Sequence, residues 1–307
     1  MRELFTSSRV SARARAKVNL ALEVLRKRRD GYHEIETILQ SVNLYDELGI
    51  ELNRSGHISI SCTDPDIPTD RRNTCFRAVE HMRPVVGEAL GARIHIAKQI
   101  PHSSGLGGAS SDAAAVLLAL QLATDDKLPM STLEKVAAQV GSDVPFMLRG
   151  GTMLGRGRGE ILTPLTPLAG GFFLIVKPPV DISTADVYQN VNLTLTKHRY
   201  RINLKQVNTL LARFPKVSLN FRNALEDVVC PSYPLVSEVL GELLASTPRY
   251  ASMSGSGSAL FAIYGSETRA SELAERFSVR GFFTAVVEPS LRAVEITATD
   301  VDELGFQ

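Results

Sequence analysis

Between Pro101 and Ala115 the chain reads Pro-His-Ser-Ser-Gly-Leu-Gly-Gly-Ala-Ser-Ser-Asp-Ala-Ala-Ala, a run able to cradle an anion. Its glycines allow positive φ and close approach of the backbone to a ligand. The alanine-rich stretch behind them predicts a helix, whose first turn offers unpaired N–H groups and the positive end of its dipole. A nucleotide phosphate is the guest such a loop suits. No Gly-Lys-Ser/Thr closes the run as in a Walker A loop, and the third glycine of a dinucleotide fingerprint is missing. A glycine-rich turn ahead of a buried helix is the plain alternative.

Other residues could add chemistry to that loop. Ala16, Val18, Leu20, Leu22 and Val24 alternate with Lys17, Asn19, Ala21 and Glu23, which predicts a strand displaying Lys17 and Asn19 side by side. A half-exposed strand with a solvated polar face has the same pattern. Lys98 falls in phase with Ile94, Ile96 and Ile100, so it either snorkels at a strand end or turns inward toward an anion. Asp143 stands between Gly141 and Pro145, which fix its backbone on both sides; an Asx-type turn is the structural alternative. After the basic run Arg26–Arg29 and the Asp30-Gly31 turn signal, Tyr32 offers a stacking face and His33 a hydrogen-bonding ring, a pair suited to a base or to simple packing. Asn73 reads as a helix N-cap, and Met253-Ser254-Gly255-Ser256-Gly257 as a second glycine loop or a bulge.

The elements that must hold these residues follow from periodicity. Strands are expected over 16–25, 36–42, 48–52, 57–62 and 93–100, and helices over 73–82, 111–123 and 131–140, the last ended by Gly141. The polar segment Gly155-Arg156-Gly157-Arg158-Gly159-Glu160 opens a composition shift taken as the domain boundary, giving domains 1–165 and 166–307. In the second, a strand over 172–177, helices near 184–188, 223–226, 233–244 and 270–278, and a strand over 282–288 make an α+β pattern. Residues 192–220 give no reading.

Bulk properties narrow the class. With 34 basic and 33 acidic residues among 307, nothing global steers the chain to nucleic acid or to an anionic membrane. Cys62, Cys75 and Cys230 lack the spacing of a disulfide framework or a zinc site. The longest apolar run, Ala113–Ala123, is too short to span a bilayer. The first residues include Glu3 and no apolar core, so a leader peptide is not expected. A cytoplasmic protein is the expectation.

Taken together, Ala16-Lys17-Val18-Asn19-Leu20, Asp30-Gly31-Tyr32-His33, Pro101 to Ala114, Gly141-Ser142-Asp143-Val144-Pro145, Gly157-Arg158-Gly159-Glu160 and Met253-Ser254-Gly255-Ser256-Gly257 resemble the GHMP kinase superfamily. The Asp-Gly-Tyr-His and Gly-x-Asp-Val-Pro motifs resemble its branch acting on a cytidyl substrate. That resemblance implies a two-domain α+β GHMP kinase fold, with an N-terminal ribosomal-protein-S5-domain-2-like domain and a C-terminal ferredoxin-like domain. It implies ATP-dependent phosphorylation, with Mg²⁺, of the 2-hydroxyl of 4-diphosphocytidyl-2-C-methyl-D-erythritol, in the non-mevalonate route to isoprenoids. Asp143 and Lys17 fall on catalytic positions; Asn19, Tyr32, His33 and Tyr188 fall on substrate-binding ones. The nucleotide side takes Asn73, Lys98, Pro101, Ser103, Ser104, Gly105, Leu106, Gly107, Gly108, Ala109, Ser110 and Ser111. Metal ligands stay unassigned, Ser110 and Ser111 being candidates.

A GHMP kinase of the mevalonate or homoserine type is the alternative within enzymes. A nucleotide sensor or RNA-binding module is the alternative outside them, opposed by the joint presence of Lys17 and Asp143 and by the lack of a basic stripe interleaved with aromatics. A small-molecule substrate, no nucleic acid or membrane partner, and a monomer or weak homodimer are expected.

Overall fold

The computed structural model describes residues 8–124, 128–191 and 202–301. Two long strands form its spine, β1 (Ser8–Lys27) and β2 (His33–Asn53), paired antiparallel about the Asp30-Gly31 turn. The strands expected over 16–25, 36–42 and 48–52 are pieces of these two. Register shifts near Arg15, Asn19 and Val24 break the two-residue alternation, so periodicity alone shows fragments.

β3 (Ile58–Cys62), α1 (Thr74–Val86), β4 (Gly91–Ala97), α2 (Gly108–Leu122), α3 (Met130–Val140), α4 (Val144–Arg149), β5 (Thr152–Gly157) and β6 (Ile161–Pro164) build the first layer pair around that spine. β4 adds to β2, β3 runs parallel to β4, and the β5–β6 hairpin adds to the other half of β2. Asn73 caps α1, its side chain accepting the Cys75 N–H at 2.8 Å. Ala113 to Leu117 are wholly buried, as an all-apolar helix requires, and α2 packs between the sheet and its neighbours α1, α3 and α4. Gly141 ends α3 in extended backbone (φ −177°), so no left-handed cap is used there. Residues 155–157 are strand, not a flexible polar segment: they pair with β2, and the turn at Gly157–Gly159 leads into β6.

The second layer pair contains β7 (Phe172–Lys177), α5 (Thr184–Gln189), α6 (Leu204–Arg213), α7 (Glu226–Ser232), α8 (Pro234–Ala245), β8 (Tyr250–Met253), β9 (Leu260–Tyr264), α9 (Glu267–Ser278) and β10 (Phe283–Val287). Its sheet order is β10-β7-β9-β8, the antiparallel β-α-β-β-α-β arrangement of a ferredoxin-like domain. A division at residue 165 puts everything downstream in this domain, and the structure differs. β11 (Pro289–Ser290) and β12 (Val294–Val301) return to the first sheet, pairing with β2 and β1.

One phase of β1 is buried along its whole length against two different partners. Val10, Ala12 and Ala14 pack with α1 and α2, whereas Ala16, Val18 and Leu20 pack against Phe173, Ile175 and Phe261 of the second sheet. The second domain thus covers the half of β1 that carries Lys17 and Asn19. Among the described residues no single helix is long and apolar enough to cross a membrane.

Candidate active site

A cleft of about 670 Å³ opens between the two domains, within the size range of small-molecule sites. Lys17, Asn19, Tyr32, His33, Gly105, Gly107, Ser110, Asp143 and Tyr188 all line it. The sequence places these residues on β1, the β1–β2 turn, the glycine loop, the start of α4 and α5, and the fold brings them to one wall-to-wall space.

At the centre stands Lys17. Its side chain is only 5% exposed, and its Nζ lies 3.5 Å from Oδ2 of Asp143. Nζ also donates to Oδ1 of Asn19 at 2.6 Å. The Asn19 amide is held in turn: its Nδ2 donates to Thr37 Oγ1 at 2.8 Å, and that hydroxyl donates to the Ala21 carbonyl at 2.7 Å. With the Thr37 proton committed to a carbonyl, its oxygen can only accept, and the amide oxygen is left facing the ammonium. The polar face of β1 is therefore buried and wired, not solvated. Asp143 begins α4 with helical backbone and no capping hydrogen bond from its side chain, so no Asx turn engages the carboxylate and it faces the cleft.

The glycine loop meets this pair from the other side. Gly105 and Gly107 have φ of 77° and 74°, and Ser103 reaches 49°. A Cβ on Gly105 would sit 2.1 Å from the Ser254 carbonyl oxygen, and one on Gly107 would sit 2.6 Å from Met147 Cε and 3.0 Å from Lys17 Cγ. Gly105 needs glycine for space as well as for φ, because its neighbour is backbone, whereas at Gly107 the Met147 methyl can shift and φ carries the requirement. The second glycine loop braces the first: Ser254 Oγ donates to the Gly105 carbonyl at 3.0 Å and accepts the Asn19 N–H at 3.3 Å. Asn223, fully buried, holds that second loop by donating to the carbonyls of Met253 and Gly255. Ser110 and Ser111 N–H groups turn back to the Gly107 carbonyl, and the earlier amides of α2 are the ones its geometry leaves for an anion.

The rest of the expected nucleotide side is distributed around the loop. Leu106, Ser104, Gly108 and Ser111 are buried beneath it, while Ser103 and Ala109 are exposed and Pro101 half-buried. Asn73 caps α1 and also donates to the Pro68 carbonyl, outside the cleft. Lys98 does turn inward, but toward Asp46 and Asp112 instead of the cleft.

The far wall is aromatic. His33 stacks on Tyr188 with ring centroids 5.3 Å apart, and the Arg158 guanidinium lies 4.9 Å from the centre of the Tyr32 ring. Burial pushes the Tyr188 phenol up, and the Asp143 carboxylate nearby adds to the rise. Desolvation lowers the His33 pKa, helped by the Lys27 charge, so the ring is neutral at pH 7. Arg158, Lys27, Thr184 and Ser256 also line the cleft. None carries a signal in isolation; the basic run and the Gly-Arg-Gly-Glu segment are the traces of the first two.

Phosphoryl transfer to a small alcohol asks for an anion cradle, a cation and a proton acceptor converging in a dry cleft. The sequence profile of the GHMP kinases N terminal domain matches residues 73–151, and that of the GHMP kinases C terminal domain matches residues 204–281. Fold and cleft thus define a GHMP kinase, a class that uses ATP. The 4-diphosphocytidyl-2-C-methyl-D-erythritol kinase of Caldicellulosiruptor bescii is 39% identical over 267 residues, covering 87% of this chain and 93% of its own. A crystal structure of 4-(cytidine 5'-diphospho)-2C-methyl-D-erythritol kinase superposes with a TM-score of 0.76 at 33% identity, over 90% of this chain and 98% of its own. This chain belongs to the 4-diphosphocytidyl-2-C-methyl-D-erythritol kinase family. Homoserine kinase from Cytophaga hutchinsonii, with a TM-score of 0.69 at 20% identity over 94% of this chain and 97% of its own, shares the fold alone.

Proposed function

We propose that this chain transfers the γ-phosphoryl group of ATP to the 2-hydroxyl of 4-diphosphocytidyl-2-C-methyl-D-erythritol, giving the 2-phosphate and ADP. The observation that carries the chemistry is the Lys17–Asp143 pair, 3.5 Å apart beside the glycine loop. Asp143 accepts the hydroxyl proton as the bond to phosphorus forms. Lys17, fixed by Asn19 and by that carboxylate, stabilises charge on the attacking oxygen and the transferring group. Because the transition state of phosphoryl transfer is loose, positioning and charge stabilisation supply most of the rate. The loop backbone from Gly105 to Ala109, whose amides at the start of α2 are left free, holds the ATP phosphates.

Among the described residues no cluster of three or more His, Cys, Asp or Glu side chains forms a protein cage for a metal. Mg²⁺ would suit a site of this kind through the nucleotide's own phosphates plus a protein oxygen, for which the Ser110 hydroxyl in the cleft is a fitting donor. When bound, the ion would neutralise phosphate charge; proton acceptance stays with Asp143.

Substrate choice rests on the aromatic wall. Tyr32 and Tyr188 offer ring faces to the cytosine, and neutral His33 offers one donor and one acceptor to its edge. A mevalonate or homoserine substrate has no base to use that wall. Three free cysteines and the absence of any single described membrane-length helix support a reducing, cytoplasmic setting.

The test is ADP release with ATP and Mg²⁺, offering the cytidyl substrate, mevalonate and homoserine in parallel, with Asp143→Ala as control. Turnover confined to the cytidyl substrate and lost in the variant is the expected result. Turnover on either other alcohol refutes the reading of the aromatic wall.

A further inference from the structure

Behind the glycine loop lies a charged cluster that no proposed chemical step uses. Asp46 of β2 is fully buried. Its Oδ1 accepts the N–H groups of Gln99 at 2.6 Å and Ile100 at 2.8 Å, just past the end of β4. The carboxylate takes over the sheet's hydrogen bonding where β4 stops and the chain heads for Pro101. Its Oδ2 lies 2.5 Å from Lys98 Nζ, and the same ammonium lies 3.1 Å from Oδ2 of Asp112, near the start of α2. A Cβ on Gly108 would sit only 2.8 Å from that Nζ. One buried ammonium therefore joins the segment entering the loop to the helix leaving it.

Charges at this depth are tolerated only when paired and hydrogen-bonded. Burial alone would lower the Lys98 pKa, yet Asp112 and Asp46 carry it upward, so the ammonium stays charged. Lys98, Asp46 and Asp112 are all absent from the cleft lining, so the cluster reaches a bound nucleotide through the loop backbone.

We infer that Asp46 is a positioning residue for nucleotide binding: with Lys98 and Asp112 it holds the loop between Gln99 and Gly108 in its phosphate-binding shape before the nucleotide arrives. A loop already ordered loses less conformational freedom on binding than one that must be ordered by its ligand. The inference rests on the reading of Gly105–Ala109 as the phosphate cradle.

Calorimetric titration of the purified protein with Mg-ADP, and separately with the cytidyl substrate, tests it. Asp46→Ala loses both amide anchors and is expected to weaken Mg-ADP by about tenfold or more, with cytidyl affinity within about twofold because the aromatic wall is independent. Asp46→Asn keeps an acceptor oxygen and is expected to recover most of the nucleotide affinity lost in Asp46→Ala. Equal weakening of both ligands, as general destabilisation would give, overturns the inference, and so does unchanged Mg-ADP affinity in a folded Asp46→Ala. If Asp46→Ala does not fold, Asp46→Asn decides: a loss of about threefold for Mg-ADP alone supports the anchor, and equal losses or none overturn it. Gly107→Ala separates this outcome from failure of the cradle itself. If Gly107→Ala weakens Mg-ADP while the Asp46 variants do not, only the anchor falls; if Gly107→Ala leaves Mg-ADP binding intact, the cradle reading falls.

Discussion

Replacing Thr37 by valine deletes one hydroxyl from the cleft lining beside Asn19, with almost no change of shape. The side chain is 1% exposed. Its oxygen accepts from Asn19 Nδ2 at 2.8 Å and donates to the Ala21 carbonyl at 2.7 Å. Valine leaves both partners buried and unmatched, which costs about 1–3 kcal/mol for such groups. We expect a stability loss of about 2 kcal/mol, read as a fall of a few degrees in Tm. The consequence for catalysis is separate. Without Thr37 the Asn19 amide is held by the Lys17 ammonium alone, and the 2.6 Å hydrogen bond that fixes the ammonium weakens. Loss of one charged hydrogen bond in the transition state, about 1.4 kcal/mol, is about tenfold in kcat. Steady-state assays with both substrates saturating, alongside thermal melts, read the two effects apart. In a double-mutant cycle with Asn19→Ala the kcat losses should not add, since both changes break the same relay. A Thr37→Val protein with lowered Tm and unchanged kcat refutes the orienting role.

Gly105→Ala should lower both Tm and kcat, because its Cβ meets backbone, the Ser254 carbonyl, at 2.1 Å and its φ of 77° costs alanine about 1 kcal/mol; wild-type kinetics would contradict the packing of the two loops. Tyr188→Ala should raise KM for the cytidyl substrate by about threefold to tenfold, the worth of one aromatic stack, with KM for ATP unchanged, while Tyr188→Phe stays close to wild type. The depressed His33 pKa keeps its ring neutral at and below the ordinary imidazole range, so KM for the cytidyl substrate should be flat from high pH down to about 6.5 and rise only below it. A rise that begins above that point would mean that His33 is not the titrating contact. The same shift leaves the unfolded chain holding more protons near its own pKa, so this group's contribution to stability falls as pH drops through about 6.5.

What could be read from the sequence was local. The glycine loop, the apolar helix behind it and Asn73 as a cap depend on neighbours within one turn, and the structure has them as elements where the periodicity put them. Spacing also placed Lys17 beside Asn19 on one strand face. Burial of that face could not be read, because it is conferred by Thr37 of β2 and by the two glycine loops, whose Gly107, Ser254 and Gly255 reach β1 only in the folded chain. The return of β12 to β1 was hidden for the same reason: a strand's own alternation says which face is apolar and nothing about which edge it joins.

Lys98 shows the divide most clearly. Its phase in the strand left two readings, a side chain snorkelling at the strand end or one turned inward toward an anion. Which anion was decided in three dimensions, where Asp46 and Asp112 arrive from a different strand and a helix and hold the ammonium away from the cleft. Residue types, the glycine positions and the phase of a side chain within a short unbroken stretch of strand follow from covalent connectivity and short-range sterics, and so were legible without the fold. Which group neutralises which was settled by packing, since buried charges are satisfied by whatever partner the packing delivers, and packing is a property of the whole chain.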